Sequence, residues 1–341
     1  MTMSAYSVLA LSFSVYLAQA CGHTLSPSTT EPARSASPPN ALQPEGGWRT
    51  SLDREHPLVG RIWDCQRRAY TDTEAVWQRM RGARIRLLGE KHDNPDHHRL
   101  QAAALRAIVA GGRRPAVAFE MFDSSQQPSI DAYCADPSAA ADGLAAATNW
   151  GSMGWPPFEL YLPIVLIVFE NRLPIVAANI PPSRVRPLVR EGTRALGPDL
   201  LGLELDREFP PALEASLENE LRASHCGQLP DSMIGGMALA QHARDAYMAR
   251  AALGADNGDG TVLVAGDGHV RLDRGIPYYL QRQKPRVSVA SLAFVEVATG
   301  MTEPAAYAKP LGAADLPFDF VWFTPRADDA DPCAPSRKKE R

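Results

Sequence analysis

The sequence predicts an α/β protein with a mainly parallel sheet and helices on both faces, in a single domain with a helical insertion. Short apolar runs alternate with amphipathic segments along most of the chain, and parallel strands that are buried on both faces have this continuous apolar character. The chain has 341 residues, of which 45% are hydrophobic. That is enough to bury one large core, so we expect one domain rather than two.

The N-terminus has the pattern of an export signal. The first twenty residues carry no charged side chain, and the apolar stretch from Val8 to Leu17 is too short to span a bilayer. Residues 1–20 are therefore predicted to be a signal peptide. Two processing routes stay open, namely cleavage after Ala20 and lipidation at Cys21 in the manner of a bacterial lipoprotein.

Two segments flank the predicted domain. Residues 21–48 are rich in Pro, Ser, Thr and Ala, a composition that cannot bury enough apolar surface to fold, and we expect a disordered tether there. Residues 326–341 are similarly polar and are expected to be a disordered tail. The folded domain is therefore predicted over residues 49–325.

The cysteines fit an exported protein. If Cys21 is modified or removed, four cysteines remain, and these allow three full pairings. A bridge between Cys134 and Cys226 is one candidate, because both residues lie in predicted helical connections. The other two cysteines are Cys65 and Cys333.

Local signals place the helices and strands. Thr71 to Glu74 is a capping-box pattern, and Asn94-Pro95 supplies an N-cap and a first-turn proline. Helices are predicted over residues 71–80, 95–110, 156–171, 210–225 and 232–253. Strands are predicted over residues 84–89, 116–119, 174–178, 261–265, 286–292 and 318–323.

Polar side chains follow four of the predicted strands. Ligands of open α/β sheets collect outside the carboxyl ends of the strands, so side chains in these positions are expected to line a functional cleft. The residues concerned are Glu90, His92, Glu120, Asn179, Asp267 and His269.

The chemistry of these groups leaves two possibilities open. Imidazole and carboxylate together suit a divalent metal such as zinc, iron or manganese, or they orient a cofactor without touching a metal. A dinucleotide is not indicated, because Gly266-x-Gly268 lacks the third glycine of that motif. The net charge of −4 gives no electrostatic footprint for nucleic acid.

Other histidines and methionines are predicted either to line the site or to lie elsewhere in the fold. His98 is predicted to line the site, because it points back toward the sheet edge with Gln101 one helical turn later, whereas His97 is predicted to lie on the surface. Met233, Met237 and Met248 recur at helical spacing, which is typical of core residues.

The motifs together resemble the ChaN family of iron-regulated haem-binding lipoproteins over about residues 50 to 295. The segments that carry the resemblance are Leu87-Leu88-Gly89-Glu90-Lys91-His92-Asp93, Phe119-Glu120-Met121-Phe122, Tyr161-Leu162-Pro163, Ala178-Asn179-Ile180-Pro181, His225-Cys226, Gln241-x-x-Arg244-Asp245 and Gly266-Asp267-Gly268-His269-Val270.

The resemblance implies haem as cofactor and a role in iron or haem uptake, in the periplasm or at the outer membrane, with an outer-membrane transport partner. It is compatible with a membrane anchor at Cys21 and with a homodimer, whose second subunit would cover the open face of a flat haem. The wider group also contains TIKI-type proteases and erythromycin-esterase-like hydrolases. A metal-dependent peptidase or esterase with zinc or manganese is therefore the alternative function.

The resemblance also suggests which residues contact haem. Tyrosinate, histidine and methionine are suitable axial ligands, and Tyr161 is the first candidate because it lies in a matching segment. Weaker candidates are Tyr133, Tyr247 and His225. The apolar cover is expected from Trp150, Trp155 and Phe158, and the partners for the propionates from Arg184 or Arg244.

Overall fold

One mixed sheet organises the computed structural model, which describes residues 42–330, apart from 199, 201 and 206, and also Cys333. The predicted signal peptide, Cys21 and residues 21–41 of the predicted tether lie outside the described residues. The strands are β1 Ile62–Asp64, β2 Ala69–Thr71, β3 Ile85–Glu90, β4 Ala116–Asp123, β5 Ile175–Asn179, β6 Thr261–Gly266, β7 Val289–Glu296 and β8 Phe320–Thr324.

The helices lie mainly between these strands. They are α1 Thr73–Gly82, α2 Pro95–Ala110, α3 Gln127–Cys134, α4 Leu144–Ala147, α5 Leu162–Glu170, α6 Pro182–Glu191, α7 Pro211–Ser224, α8 Asp231–Gly254 and α9 Ile276–Gln283. Within the described part of the chain, no helix is both long enough and apolar enough to span a bilayer.

The sheet has eight strands in the order β2-β1-β8-β7-β3-β6-β4-β5. The strands from β8 to β5 are parallel, and β1 and β2 add an antiparallel edge. β3 lies in the middle, where Leu87 is paired with Leu263 on one side and Ser291 on the other. The predicted fold class is confirmed.

Both faces of the sheet are covered by helices, because alternate strand residues point to opposite sides. Leu88 and Phe119 point to one face and pack with residues of α1, α2 and α5. Leu87 and Leu263 point to the other face and pack with residues of α6, α8 and α9. The helices α6, α7 and α8 all lie between β5 and β6 and form the helical insertion.

Some elements differ from the sequence prediction. Helix α6 was not predicted, because Pro181-Pro182 was interpreted only as the end of a strand, although proline also suits the first turn of a helix. Helix α9 was missed in the same way at Pro277. The helix predicted from residue 156 begins at Leu162 instead, after a short 3₁₀ turn over Phe158–Leu160.

The folded domain extends beyond the predicted boundaries at both ends. The backbone N–H of Leu42 donates to Gly60, and Trp48 packs against the core. Arg326 forms a bridge with Leu52, and the next residues continue along the domain. Residues 42–48 are therefore not part of a disordered tether, and residues 326–330 are not part of a disordered tail.

A disulfide ties the C-terminal segment to the turn between α7 and α8. It joins Cys226 and Cys333, whose Cα atoms are 5.4 Å apart. Cys65 and Cys134 are free thiols. The candidate bridge between Cys134 and Cys226 is wrong, because Cys134 ends α3 on one face of the sheet whereas α7 packs on α8 at the other face.

Candidate functional site

The predicted polar residues meet at the carboxyl end of the parallel strands. β3 ends at Glu90, β5 ends at Asn179, and Glu120 lies within the buried part of β4. His92 and His269 follow β3 and β6 after short turns. We call Glu90, His92, Glu120 and His269 the edge cluster.

Glu90 is the most enclosed member of the edge cluster. Its Oε1 lies 2.9 Å from Nδ1 of His92 and accepts a hydrogen bond of 2.8 Å from the hydroxyl of Tyr161. Its Oε2 lies 3.2 Å from Nδ1 of His98. One imidazole and a phenol therefore contact Oε1 of this buried carboxylate at hydrogen-bonding distance, and the ring of His98 lies beside Oε2.

Glu120 connects the two histidines of the edge cluster. Its Oε1 lies 3.2 Å from Nε2 of His269, and its Oε2 accepts a hydrogen bond of 2.8 Å from the backbone of Gly266. Oε2 is also 3.9 Å from Nε2 of His92, which is beyond hydrogen-bonding distance. Asn179 donates to the backbone oxygen of Glu120 at 2.9 Å, so it positions the strand rather than the carboxylate.

Helix α8 supplies two functional residues to which the sequence reasoning gave no role. Asp245 lies 2.5 Å from Nδ1 of His269, and the amide of Gln241 lies 3.1 Å from the same nitrogen. The ring of His269 is therefore held between the carboxylates of Asp245 and Glu120. The spacing of Gln241 and Asp245, one helical turn apart, was the available signal, because such residues share one helix face.

The edge cluster combines ionised carboxylates with protonated imidazoles. Burial opposes charge on both kinds of group, yet the neighbouring His269 and His92 lower the pKa of Glu120 to about 2. Burial would also lower the pKa of His269, but Glu120 and Asp245 raise it to about 10. In the same way, Glu90 and Glu120 outweigh burial and raise the pKa of His92 to about 9.

The histidines of the site differ in their exposure. The side chain of His92 is 32% exposed, whereas His98 is fully buried and His269 is 9% exposed. The ring of Trp155 meets His92 edge-on, with 5.0 Å between the ring centres. A ligand that approaches this edge of the sheet therefore meets His92 and Trp155 first.

Tyr161 lies beneath this surface. It is 1% exposed and packs against the tilted ring of His98, with ring centres 4.2 Å apart. Burial, together with the negative charge of Glu90, raises the pKa of Tyr161 far above its usual range, so the phenol stays protonated. The structure thus places Tyr161 as a hydrogen-bond donor to Glu90.

His97 is buried, which contradicts the predicted surface position. Its Nδ1 accepts a hydrogen bond of 2.9 Å from the backbone N–H of Lys91, and its Nε2 lies 2.8 Å from the hydroxyl of Thr324. Burial, with the nearby His98, lowers the pKa of His97 to about 3, so the ring is neutral. Its role is to join the turn after β3 to the end of β8.

The remaining predicted residues lie around the edge cluster. The backbone N–H of Asp267 donates to the backbone oxygen of Glu90 at 3.0 Å. Burial, with Glu220 nearby, raises the pKa of the Asp267 carboxyl to about 6. Arg244 is half-buried and reaches Asn179 at 3.5 Å. Three residues were expected to form the apolar cover of the haem. Of these, Trp150 and Phe158 are core residues, and only Trp155 is half-buried at the edge.

The weaker ligand candidates have other partners. Tyr133 donates to the backbone of Ala140, and Tyr247 lies under the guanidinium of Arg250. His225 is exposed and contacts the backbone of its own helix. Arg184 is half-buried at the start of α6.

The three methionines do not share one environment. Met248 is buried, as expected of a core residue, whereas Met237 is half-buried and Met233 is 39% exposed. Among the described residues, no group of three or more His, Cys, Asp or Glu side chains has the geometry to hold a metal ion. The two imidazoles of the edge cluster are instead engaged with carboxylates.

A parallel sheet with an ionised Glu and His cluster at its carboxyl end defines a ligand-binding α/β protein. The sequence matches the family model described as "Haem-binding uptake, Tiki superfamily, ChaN" over residues 76–280, which is more than half of the chain. The chain therefore belongs to this haem-binding family, and haem is its cofactor. No curated protein matches the sequence.

One solved structure supports the fold. A structure of ChaN of Campylobacter jejuni, described as showing cofacial haem binding, is 20% identical to this chain with a TM-score of 0.61, and covers 76% of this chain and 95% of the other. The erythromycin esterase EreC in its open conformation is 15% identical with a TM-score of 0.39, over 75% of this chain and 81% of the other. The first likeness shows a shared fold.

Proposed function

We propose that this protein is an exported haem carrier that takes part in iron or haem uptake. The observation that supports it is a partly exposed imidazole, His92, which lies against a buried carboxylate at the carboxyl edge of the sheet in a haem-family fold. Imidazole is a suitable axial donor to haem iron. Trp155 offers aromatic contact beside it, and Arg244 offers a cation for a propionate.

In this proposal the predicted site residues act at different depths. His92 meets the haem, whereas Glu90, His98 and Tyr161 hold the ring of His92 from beneath. Three further residues keep the adjacent strand ends in place. These are Glu120, Asn179 and His269.

The test of haem binding is a titration of the purified protein with haemin, followed in the Soret band. A saturable spectral change at micromolar protein is expected. A linear change without saturation would reject the haem carrier. A globular control protein without a haem site, titrated in parallel, defines the non-specific signal.

Export and anchoring are supported by two separate features. The leader before Cys21 has the composition of a signal peptide, and the disulfide between Cys226 and Cys333 is a bond that persists in oxidising compartments. We expect the mature protein to begin at Cys21 and to carry lipid there. Mass spectrometry of the wild type and Cys21→Ser from a bacterial host tests this, and an unmodified mature wild type would indicate a free periplasmic protein.

The proposed haem carrier also acts as a homodimer and with an outer-membrane transport partner. A second subunit would cover the face of a flat haem that one protein ligand leaves open. Sedimentation with and without haemin is expected to show a dimer when haemin is present. A monomer in both conditions would reject the homodimer, and the transport partner would then have to receive haem from a single subunit.

The second candidate function is a hydrolase. It is favoured by the pairing of Glu90 with His92, because a carboxylate that orients an imidazole is also the arrangement of a general acid or base. Peptide and ester substrates, with zinc or manganese added, would test it. Turnover that is abolished by both Glu90→Gln and His269→Ala would establish the hydrolase, whereas turnover that survives both substitutions would reject it.

A further inference from the structure

A groove lies between α2 and α5 on the side of the domain. Its volume is about 660 Å³, and charged side chains lie on both of its flanks. We call it the α2–α5 groove. The edge cluster is not part of its lining, so the groove is a separate feature of the surface. Its apolar lining consists of Ala102, Ala103, Leu160, Pro163 and Leu166.

The two helices lie side by side and point in the same direction. At their starts, the ring of Tyr161, which directly precedes α5, packs against that of His98 in the first turn of α2. Beyond their ends, the guanidinium of Arg114 donates to the side-chain oxygen of Asn171 at 2.8 Å. Residues that are equally far from His98 and Tyr161 along the two helices therefore lie at about the same level.

Opposite charges lie on the two flanks of the groove. Arg106 on α2 is eight residues after His98, and Glu170 on α5 is nine residues after Tyr161. At 1.5 Å per residue these positions are about 12 and 14 Å beyond the two rings, so the charges lie at about the same level. Both side chains line the groove and are exposed.

A second set of opposite charges lies near the starts of the helices. Arg49 is next to the first turn of α2, because its backbone N–H donates to Asp96, and Glu159 lies in the turn before α5. Both are exposed and line the groove. Within the described part of the chain, neither these two side chains nor those of Arg106 and Glu170 have a hydrogen-bond or ion-pair partner.

The apolar lining also differs between the flanks. Leu166 on α5 is 44% exposed, the highest value among the large hydrophobic side chains that the structure describes. It is five residues after Tyr161, and Ala103 on α2 is five residues after His98, so a large side chain lies at the level of a small one. A single exposed leucine is ordinary on a protein surface. Here, however, a small apolar position lies on the opposite flank and Leu166 of the same copy does not cover it.

We propose that the α2–α5 groove is an interface between two copies of this chain, related by a two-fold axis parallel to the two helices. Such an axis keeps the level of each residue and lays the α2 flank of one copy on the α5 flank of the other. Arg106 then faces Glu170 of the second copy, and Arg49 faces its Glu159. An axis across the helices would instead lay each flank on its own counterpart, with arginine against arginine.

The same axis places Leu166 of each copy on Ala103 of the other. Because the interface is isologous, this contact and both charge contacts occur twice. The match between the two flanks selects a second copy as the occupant, since an unrelated partner requires no such match. The interface is distinct from the haem-dependent homodimer proposed above and forms without haemin.

Sedimentation velocity of the full chain at several micromolar concentrations tests the interface. Every sample carries Cys21→Ser, so that lipid does not associate the copies, and haemin is left out. This parent chain is expected to form a dimer. Leu166→Glu should raise the dimer dissociation constant by at least about 10-fold, because it places an unpaired charge in the interface. Met233→Glu, which changes a similarly exposed apolar side chain on α8, should match the parent.

Arg106→Glu and Glu170→Arg test the pairing between copies. Each variant alone brings like charges together in two places and should raise the dissociation constant by at least about 10-fold. An equimolar mixture of the two variants contains dimers with one inverted pair and one native pair. Its dissociation constant should therefore return to about that of the parent. Recovery on mixing identifies a contact between copies, because mixing cannot restore a pair within one copy.

Three results would overturn the proposal. A parent chain that stays monomeric at all these concentrations leaves the groove to a different partner. A dimer that Leu166→Glu and both charge reversals leave unchanged has its contact elsewhere, and a mixture without recovery rejects the two-fold axis. If Leu166→Glu does not fold, the charge variants decide, since both of their side chains are exposed. None of these outcomes depends on haem binding.

Discussion

The two ends of the parallel sheet both bury charged side chains, but they use them differently. At the amino end, Arg86 is 1% exposed and donates to the backbone oxygens of Met80 and Asp259 at 2.7 and 2.9 Å. Beside it, Arg84 pairs with Asp256 at 2.6 Å. These cations join the end of α1 to the turn before β6, and their role is structural.

At the carboxyl end, each buried carboxylate lies near several side chains instead of one. Glu90 contacts two histidines and a tyrosine, and Glu120 lies between His92 and His269. The side chain of His92, which belongs to this network, is 32% exposed. Burial of charge therefore does not by itself identify a functional site, because Arg86 at the amino end is buried too.

The largest effect on stability is expected at the carboxyl end. Asp245→Asn removes the buried charge closest to His269, and removal of one partner of a buried ion pair costs about 3–5 kcal/mol of unfolding free energy. Urea unfolding measures the loss. Glu74→Gln, in an exposed pair with Arg81, is the control and should cost less than about 1 kcal/mol. Equal losses in the two variants would contradict a buried ionic network.

The disulfide is expected to have the next largest effect. It ties the C-terminal segment, whose Asp328 pairs with Lys91 next to the edge cluster, to the turn after α7. Cys226→Ser should lower the unfolding free energy by about 2–4 kcal/mol. Cys134→Ser removes a free exposed thiol and should leave it unchanged. If reducing agent does not lower the stability of the wild type, the bond does not form in solution.

A substitution at the amino end of the sheet should lower the unfolding free energy without lowering haemin affinity. Arg86→Met keeps the apolar part of the side chain but leaves the backbone oxygens of Met80 and Asp259 without this donor. Such a loss costs about 1–3 kcal/mol. Haemin affinity should match that of the wild type, because the substitution is at the opposite end of the strand. A parallel fall in stability and affinity would remove the distinction between the two ends.

Much of this site could be predicted from strand ends alone. Glu90, Glu120 and His269 follow short apolar runs, and parallel strands carry such residues to one edge of the sheet. The contribution of α8 was not predictable in this way. Asp245 reaches His269 only because α8 packs across the sheet face, and the direction of that packing is not encoded in local spacing.

The errors have a common physical origin in long-range contacts. His97 was expected at the surface because His98 faces the site, yet the end of β8 covers the other side of the first turn of α2, through Thr324. The segment after residue 325 was expected to be disordered because it is polar, yet Asp328 pairs with Lys91. In both cases a partner more than 200 residues away in the sequence decided the outcome.

The smallest expected effect is a change in how the unfolding free energy depends on pH. The pKa of His269 is raised from its ordinary value of 6.5 to about 10 by Glu120 and Asp245, which outweigh burial. A raised pKa in the folded state stabilises the protein fully below pH 6.5, and this contribution decreases as the pH rises toward 10. In His269→Gln, which has no proton to lose there, the decrease should be smaller by up to about 1.4 kcal/mol per pH unit. Urea unfolding at pH 7.5 and 8.5 measures both slopes, and identical slopes would show that His269 is not protonated in the folded protein.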